Sequence, residues 1–148
     1  MKLQSYQLDY SAIDPRIAHA QPRLLTKVAS IDGLDLRALC HKSVQIEEEG
    51  GYGWSVQEAL EISDLYRAFL FLCLFYPSAQ ILPTREVDEF WHLHILDTRA
   101  YERDCQNIFG RILHHFPYAG LPGSNHASES ELAEETVTLI QRHFPEIL

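Results

Sequence analysis

The chain has 148 residues, of which 46% are apolar and 22% are charged, and its formal net charge at pH 7 is −9. These values predict one globular domain that buries a core, and they argue against a disordered chain. The acidic excess argues against a nucleic-acid partner, since binding to a phosphate backbone requires a basic face.

The cysteines and the N-terminal residues indicate the compartment. Cys40, Cys73 and Cys105 are odd in number and far apart, so no disulfide framework is expected. The first residues lack the basic, apolar and small-residue succession of a signal peptide. The longest apolar run, residues 68–76, is far shorter than the roughly 20 residues that a membrane span requires. We therefore expect a cytoplasmic protein with no membrane partner.

The first third of the chain predicts short helices and a loop. Asp14-Pro15 is a typical helix start, and Pro22 interrupts the segment that follows. Apolar residues then recur at helical spacing, with a break near Asp32-Gly33, which indicates one or two helices. The acidic, glycine-rich segment 47–53 is expected to be a solvated loop, because a phosphate-binding loop would also need a lysine and a preceding strand.

The next segment predicts a buried helix. Ser55 and Glu58 have the spacing of a capping box, which marks a helix start. Between residues 60 and 75 the apolar positions widen from a stripe to nearly all faces, and a helix that is apolar all round is buried all round. Pro77 is expected to end this central helix. Cys73, which lies within it, is expected to be a small core residue.

Two consecutive helices should follow. Thr84 is the predicted N-cap of the first helix, and Asp97 or Thr98 is that of the second. Gly110 suits the left-handed end of the second helix. So short a connection predicts a helical hairpin. One further turn is expected to continue to His115, and Ser128 begins the capping box of a last helix. No segment alternates as a strand would, so we predict an all-α bundle of about five to six helices around the buried central helix.

The predicted hairpin carries the residues best suited to bind a ligand. Four of the eight histidines lie between Val87 and His115. Residues two apart on a helix point about 200° apart, so His92 and His94 are not expected to share one ion while the helix stays regular. Asp88 lies one turn before His92 and is positioned to orient its ring, as outer partners of metal ligands do.

The second helix of the hairpin leaves two alternatives open. Cys105 lies in an apolar stripe with Tyr101 and Ile108, which is typical of a buried thiol. The same stripe would bring the thiol beside a histidine if the hairpin closes. His114 and His115 are adjacent, so at most one of them can point at a given centre. The alternative interpretation is a histidine pair that ends a helix and interacts with its dipole.

These considerations define a candidate transition-metal site. The predicted ligands are His92, His94, Cys105 and His115. The residues expected to line or support the site are Asp88, Trp91, Tyr101, Asp104 and His114. Imidazole, thiolate and carboxylate together suit zinc, or iron if no thiolate takes part. The sequence has no Cys-x-x-Cys and no His-Glu-x-x-His spacing, so it predicts no particular reaction.

The same residues resemble a known family. The pattern Asp88-x-x-Trp91-His92-x-His94-x-Leu96, followed by Tyr101-x-x-Asp104-Cys105, Gly110 and His115, resembles the glycine-rich domain-containing protein family. The resemblance extends over roughly residues 54–120. The glycine-rich tail that names that family is missing from this chain, so no role of the tail is transferred. The family's domain is mostly uncharacterised, and the resemblance therefore implies little about function.

Three functional hypotheses follow. The first is a small helical metal-binding domain. The second is a non-enzymatic interaction module, in which the hairpin residues are structural and loop aromatics such as Trp54 and Tyr118 anchor a protein partner. The third is metal-free cysteine chemistry by Cys105 and a histidine, which we rank last because of the apolar stripe. The density of histidine, aspartate and cysteine in the hairpin favours the first.

Overall fold

A computed structural model of the chain describes residues 22–117 and 129–144. Within these residues it contains six α-helices and no strand: α1 (Pro22–Asp32), α2 (Arg37–Val44), α3 (Val56–Phe75), α4 (Arg85–Leu96), α5 (Thr98–Phe109) and α6 (Glu129–His143). A short 3-10 helix, Glu47–Glu49, lies between α2 and α3. The predicted all-α bundle is confirmed. None of these helices is both long and apolar enough to cross a membrane.

Helix α3 is the centre of the bundle. It contacts α1, α2, α4 and α6, whereas α5 packs on α1 and α4. The buried positions of α3 become continuous from Ala68 to Leu72, so this part of the helix is covered on every side. Phe71 stacks on Phe75 and meets the edge of Phe144 beside α6. The predicted central helix is therefore confirmed, because apolar residues cover nearly its whole circumference.

The predicted caps are present and set the helix boundaries. The Oγ of Ser55 accepts the backbone N–H of Glu58 at 3.1 Å, and the Glu58 carboxylate accepts the backbone N–H of Ser55 at 2.7 Å. This reciprocal pair begins α3. The side-chain oxygens of Thr84 and Asp97 cap α4 and α5 in the same position. Gly110 ends α5 in the left-handed conformation, with φ of 69°.

The end of α5 differs from the prediction. The helix stops at Phe109, and the chain beyond Gly110 is not helical as far as Pro117. The predicted further turn to His115 is therefore wrong, because the left-handed glycine redirects the backbone. The helix start predicted at Asp14-Pro15 and the capping box predicted at Ser128 lie outside the described residues.

The glycine-rich loop between α2 and α3 is solvated only in its first half. The glutamates of the 3-10 helix are exposed, but Gly51 is buried. The backbone N–H groups of Tyr52 and Gly53 donate to the carbonyls of Ser43 and Gln45 at 3.0 and 2.8 Å, which ties the loop to the end of α2. A Cβ atom on Gly51 would lie 2.0 Å from the Gln45 carbonyl oxygen, so only glycine fits there.

We predict that Gly51→Ala destabilises the fold by about 3 kcal/mol, because the backbone atoms of Lys42 and Gln45 cannot easily move away from the new methyl group. The measurement is the free energy of unfolding from urea titration. Gly53→Ala is the matched control, since its Cβ would meet nothing within 4 Å and its only cost is a φ of 67°, about 1 kcal/mol. Equal losses in the two variants would contradict the close approach at Gly51.

Candidate metal site at the α4–α5 hairpin

The structure divides the predicted site residues between two faces of α4. Asp88 and His92 lie four residues apart on the outward face, and His94 lies on the inward face. The helix is regular through this stretch, so residues two apart cannot point the same way. Asp97 alone connects α4 to α5, and the two helices pack on each other. One group of polar residues on the hairpin therefore faces outward, and a second group is enclosed in the core.

The outward group contains Asp88, His92 and His115. In the part of the chain that the structure describes, these are the three residues whose ligand atoms all lie within 4.8 Å of one another. The Nε2 of His115 lies 2.7 Å from Asp88 Oδ1, and the Nε2 of His92 lies 3.7 Å from Asp88 Oδ2. The two imidazole rings are 4.7 Å apart between centroids. One carboxylate is thus placed between two imidazoles.

Tyr101 positions the segment that carries His115. Its hydroxyl accepts the indole N–H of Trp91 at 3.0 Å and donates to the carbonyl oxygen of Leu113, two residues before His115. Burial raises the pKa of Tyr101, so its hydroxyl keeps the proton that this bond needs. The Trp91 ring also lies against the His115 ring, with 4.5 Å between centroids. The segment that carries His115 is therefore held in place by the core of the hairpin.

The inward group is a buried chain of hydrogen bonds centred on His94, which is 2% exposed. Its Nε2 lies 2.9 Å from Asp104 Oδ2, and its Nδ1 lies 2.6 Å from the Tyr66 hydroxyl. A carboxylate only accepts, so Nε2–H donates to Asp104 and Nδ1 accepts from Tyr66. Burial lowers the pKa of His94, although the bond to Asp104 opposes this shift. Both ring nitrogens are occupied, so His94 is not available to an ion without breaking the core.

Cys105 lies apart from the outward group, and His114 is not one of its three members. Cys105 is buried beside Tyr101, and burial raises the pKa of its thiol, which is the environment of an inert core cysteine. His114 is exposed, whereas the neighbouring His115 side chain is only 18% exposed. The two adjacent side chains therefore differ in exposure, and only His115 belongs to the outward group. The structure therefore brings His92 and His115 together, and it leaves His94 and Cys105 elsewhere.

A cavity of about 510 Å³ adjoins the outward group. Its polar wall is formed by Asp88 and His115 together with Gln80, Arg85 and His114, and the rest is apolar. The apolar wall includes Phe69, Leu82, Trp91, Leu113 and Leu132. Cavities of this size and character commonly hold small molecules. A ligand in this cavity would lie next to two of the three side chains of the outward group.

Sequence reasoning missed two participants. Tyr66 lies on α3, 28 residues before His94, and no local spacing links the two. The Leu113 carbonyl is a backbone group and has no signature in the sequence. Tyr66 reaches the hairpin because α3 packs against α4, and the Leu113 carbonyl reaches it because the chain returns after α5.

We predict opposite roles for the two histidines of the His-x-His pair. His94→Ala leaves Asp104 and the Tyr66 hydroxyl buried without their partner, and we expect it to lower the free energy of unfolding by about 3 kcal/mol. His92→Ala should change it by no more than about 0.5 kcal/mol, since the His92 side chain is 47% exposed. Urea titration of both variants checks this, and similar losses would contradict the division between the two faces.

We predict that Tyr101→Phe costs about 2 kcal/mol, because it leaves the Trp91 N–H and the Leu113 carbonyl without their shared partner. Tyr52→Phe is the matched control: its hydroxyl donates at 2.8 Å to the carbonyl of Glu89, which lies within α4. We expect the control to cost about 1 kcal/mol or less. The His115 ring proton resonances should shift in Tyr101→Phe and not in Tyr52→Phe; unchanged resonances in both would refute the positioning role.

Comparison with known proteins identifies the family. The sequence model of the UCP032817-like family, which is uncharacterised, matches residues 27–134. No curated protein and no solved structure matches the chain. The resemblance to the glycine-rich domain-containing protein family is therefore wrong. Several residues that carried it, including Trp91, His94, Tyr101 and Asp104, belong to the packed interior of the hairpin, and such a packing pattern does not specify a family. The chain belongs to the UCP032817-like family.

Proposed function

We propose that this chain binds a divalent transition-metal ion through Asp88, His92 and His115. The observation that carries the proposal is the gathering of one carboxylate and two imidazoles from two separate segments within 4.8 Å. Two ligand atoms on a tetrahedral zinc ion lie roughly 3.3 Å apart, given zinc–ligand bonds of about 2.0–2.1 Å. Small side-chain rotations are therefore sufficient to close the group around an ion.

Zinc and iron(II) are the ions that this ligand set favours. Two histidines and one carboxylate are found in catalytic zinc sites and in non-haem iron(II) sites. Cys105 lies outside the group, so no thiolate takes part and the preference for zinc over iron is weaker than the sequence indicated. The proton between His115 Nε2 and Asp88 would leave when an ion binds, since both atoms must then supply electron pairs.

Three protein ligands leave at least one coordination position for water or another molecule, which is the arrangement of catalytic rather than structural zinc sites. The adjoining cavity supports the same interpretation, because Asp88 and His115 form part of its wall. A molecule in the cavity would thus have access to the ion. We infer an open metal site, and its chemistry depends on the molecule that enters.

The interaction-module hypothesis receives less support from the described residues. Trp54 lies against Tyr52, with 5.0 Å between ring centroids, and the Tyr52 hydroxyl bonds to the backbone of α4. These loop aromatics therefore serve the packing of the loop. Tyr118, the other proposed anchor, lies outside the described residues.

The cysteines Cys40, Cys73 and Cys105 are unpaired, which supports the inference of a reducing compartment such as the cytoplasm.

We predict that purified, untagged and metal-stripped protein takes up one zinc or iron(II) ion per chain. Isothermal titration calorimetry with Zn²⁺ should show this binding. His92→Ala, His115→Ala and Asp88→Asn should each weaken it by more than the roughly 10- to 100-fold that loss of an outer partner costs. The exposed position of His92 means that the His92→Ala variant stays folded, so a loss of binding there reports ligation and not unfolding.

His114→Ala is the matched control, since it removes an exposed imidazole one residue from a proposed ligand. It should bind Zn²⁺ as the unmodified chain does. No uptake by the unmodified chain, or equal loss in His114→Ala and His115→Ala, would overturn the proposed site.

A further inference from the structure

A second cavity, remote from the metal group in sequence, lies between α2 and α3. Its volume is about 540 Å³, and we call it the Arg67 cavity. Its apolar lining includes Leu34, Leu36, Val44, Val56, Ala59 and Leu60. None of the proposed metal ligands borders it. Size and lining are those of pockets that hold small organic molecules.

Arg67 is the polar group in this cavity that the fold does not explain. Its Nη2 donates to the Leu34 carbonyl oxygen at 2.7 Å. Its Nη1 has less than 1 Å² of accessible surface and no hydrogen-bond partner among the described residues. A buried donor on a charged group without an acceptor costs free energy, and such groups in native proteins usually have a ligand, water or ion as partner.

The other polar groups around the cavity do not compete for a negatively charged ligand. Arg37 forms two hydrogen bonds, at 2.9 and 2.7 Å, with the carboxylate of Asp35, so the charges of this pair cancel. Burial raises the pKa of the Cys40 thiol, which therefore stays neutral at pH 7. The remaining ionisable side chains on the wall are Arg67 and His41, and Asp64 lies close enough to raise the pKa of the Cys40 thiol.

We propose that the Arg67 cavity binds a small monocarboxylate with an apolar body. The apolar part of the ligand would pack on the leucine and valine side chains. Its carboxylate would accept a hydrogen bond from the Arg67 Nη1–H, which has no other acceptor. For this contact the guanidinium must turn toward the cavity, because Nη1 has almost no accessible surface in its present position. Guanidinium and carboxylate form strong charge-assisted hydrogen bonds, and the apolar wall excludes competing water.

Octanoate is a suitable probe, and octan-1-ol is the same body without the charge. We expect octanoate to bind the full chain in calorimetric titration and to shift the methyl resonances of Val44 and Ala59. Octan-1-ol should bind at least roughly tenfold more weakly, which is the value of one hydrogen bond to a charged group. Equal affinity for both probes, or no binding of octanoate at millimolar concentration, would overturn the proposal.

Two variants test the site itself. Arg67→Gln should weaken octanoate binding at least roughly tenfold, whereas Arg99→Gln, which removes the same charge from an exposed position on α5, should not. Val56→Trp is the second test, because Val56 is 61% exposed and lines the cavity, so a large ring there blocks entry without disturbing the core or Arg67. Octanoate affinity that is unchanged in Val56→Trp would place the ligand elsewhere and refute the assignment.

Discussion

The periodicity of one regular helix is the constraint on which the hairpin depends. Side chains four residues apart on α4 share a face, so Asp88 and His92 lie together, and His94 points the other way. His94 is fixed in the core by Tyr66 and Asp104. Because this inward contact sets the rotation of α4 about its axis, it also determines which face the outward pair presents to the segment after α5.

His115 comes from a segment without regular structure, so helix periodicity cannot hold it. Two contacts hold it instead. The Tyr101 hydroxyl donates a hydrogen bond to the Leu113 carbonyl, and the Trp91 ring lies against the His115 ring. The residues that position a proposed ligand are thus core residues of the hairpin. This explains why so many polar and aromatic side chains gather between α4 and α5 although only three side chains would contact an ion. Supporting residues of this kind commonly set the precision of a site.

The starts of α3 and α4 were predictable because their signals are local. Ser55 and Thr84 begin helices through oxygens that cap the next turn, and such caps depend on a few neighbouring residues. The placement of His92 and His94 on opposite faces of α4 followed from helix geometry alone. The choice between His114 and His115 was not predictable, because in a segment without regular structure either of two adjacent residues can face the site. That choice depends on the hydroxyl of Tyr101, a contact made only in the folded chain.

The proposed metal site lies at the edge of a core that is complete without it. The buried side chains of α3, α4 and α5 form one apolar cluster, which does not include Asp88, His92 or His115. An ion would link α4 to a segment that Tyr101 already holds, so it would stabilise the fold by mass action only. Structural zinc ions instead supply the folding free energy of their domains, and their coordination is closed. A site that the fold does not require can keep a coordination position open, and an open position is what a metal needs to meet a substrate.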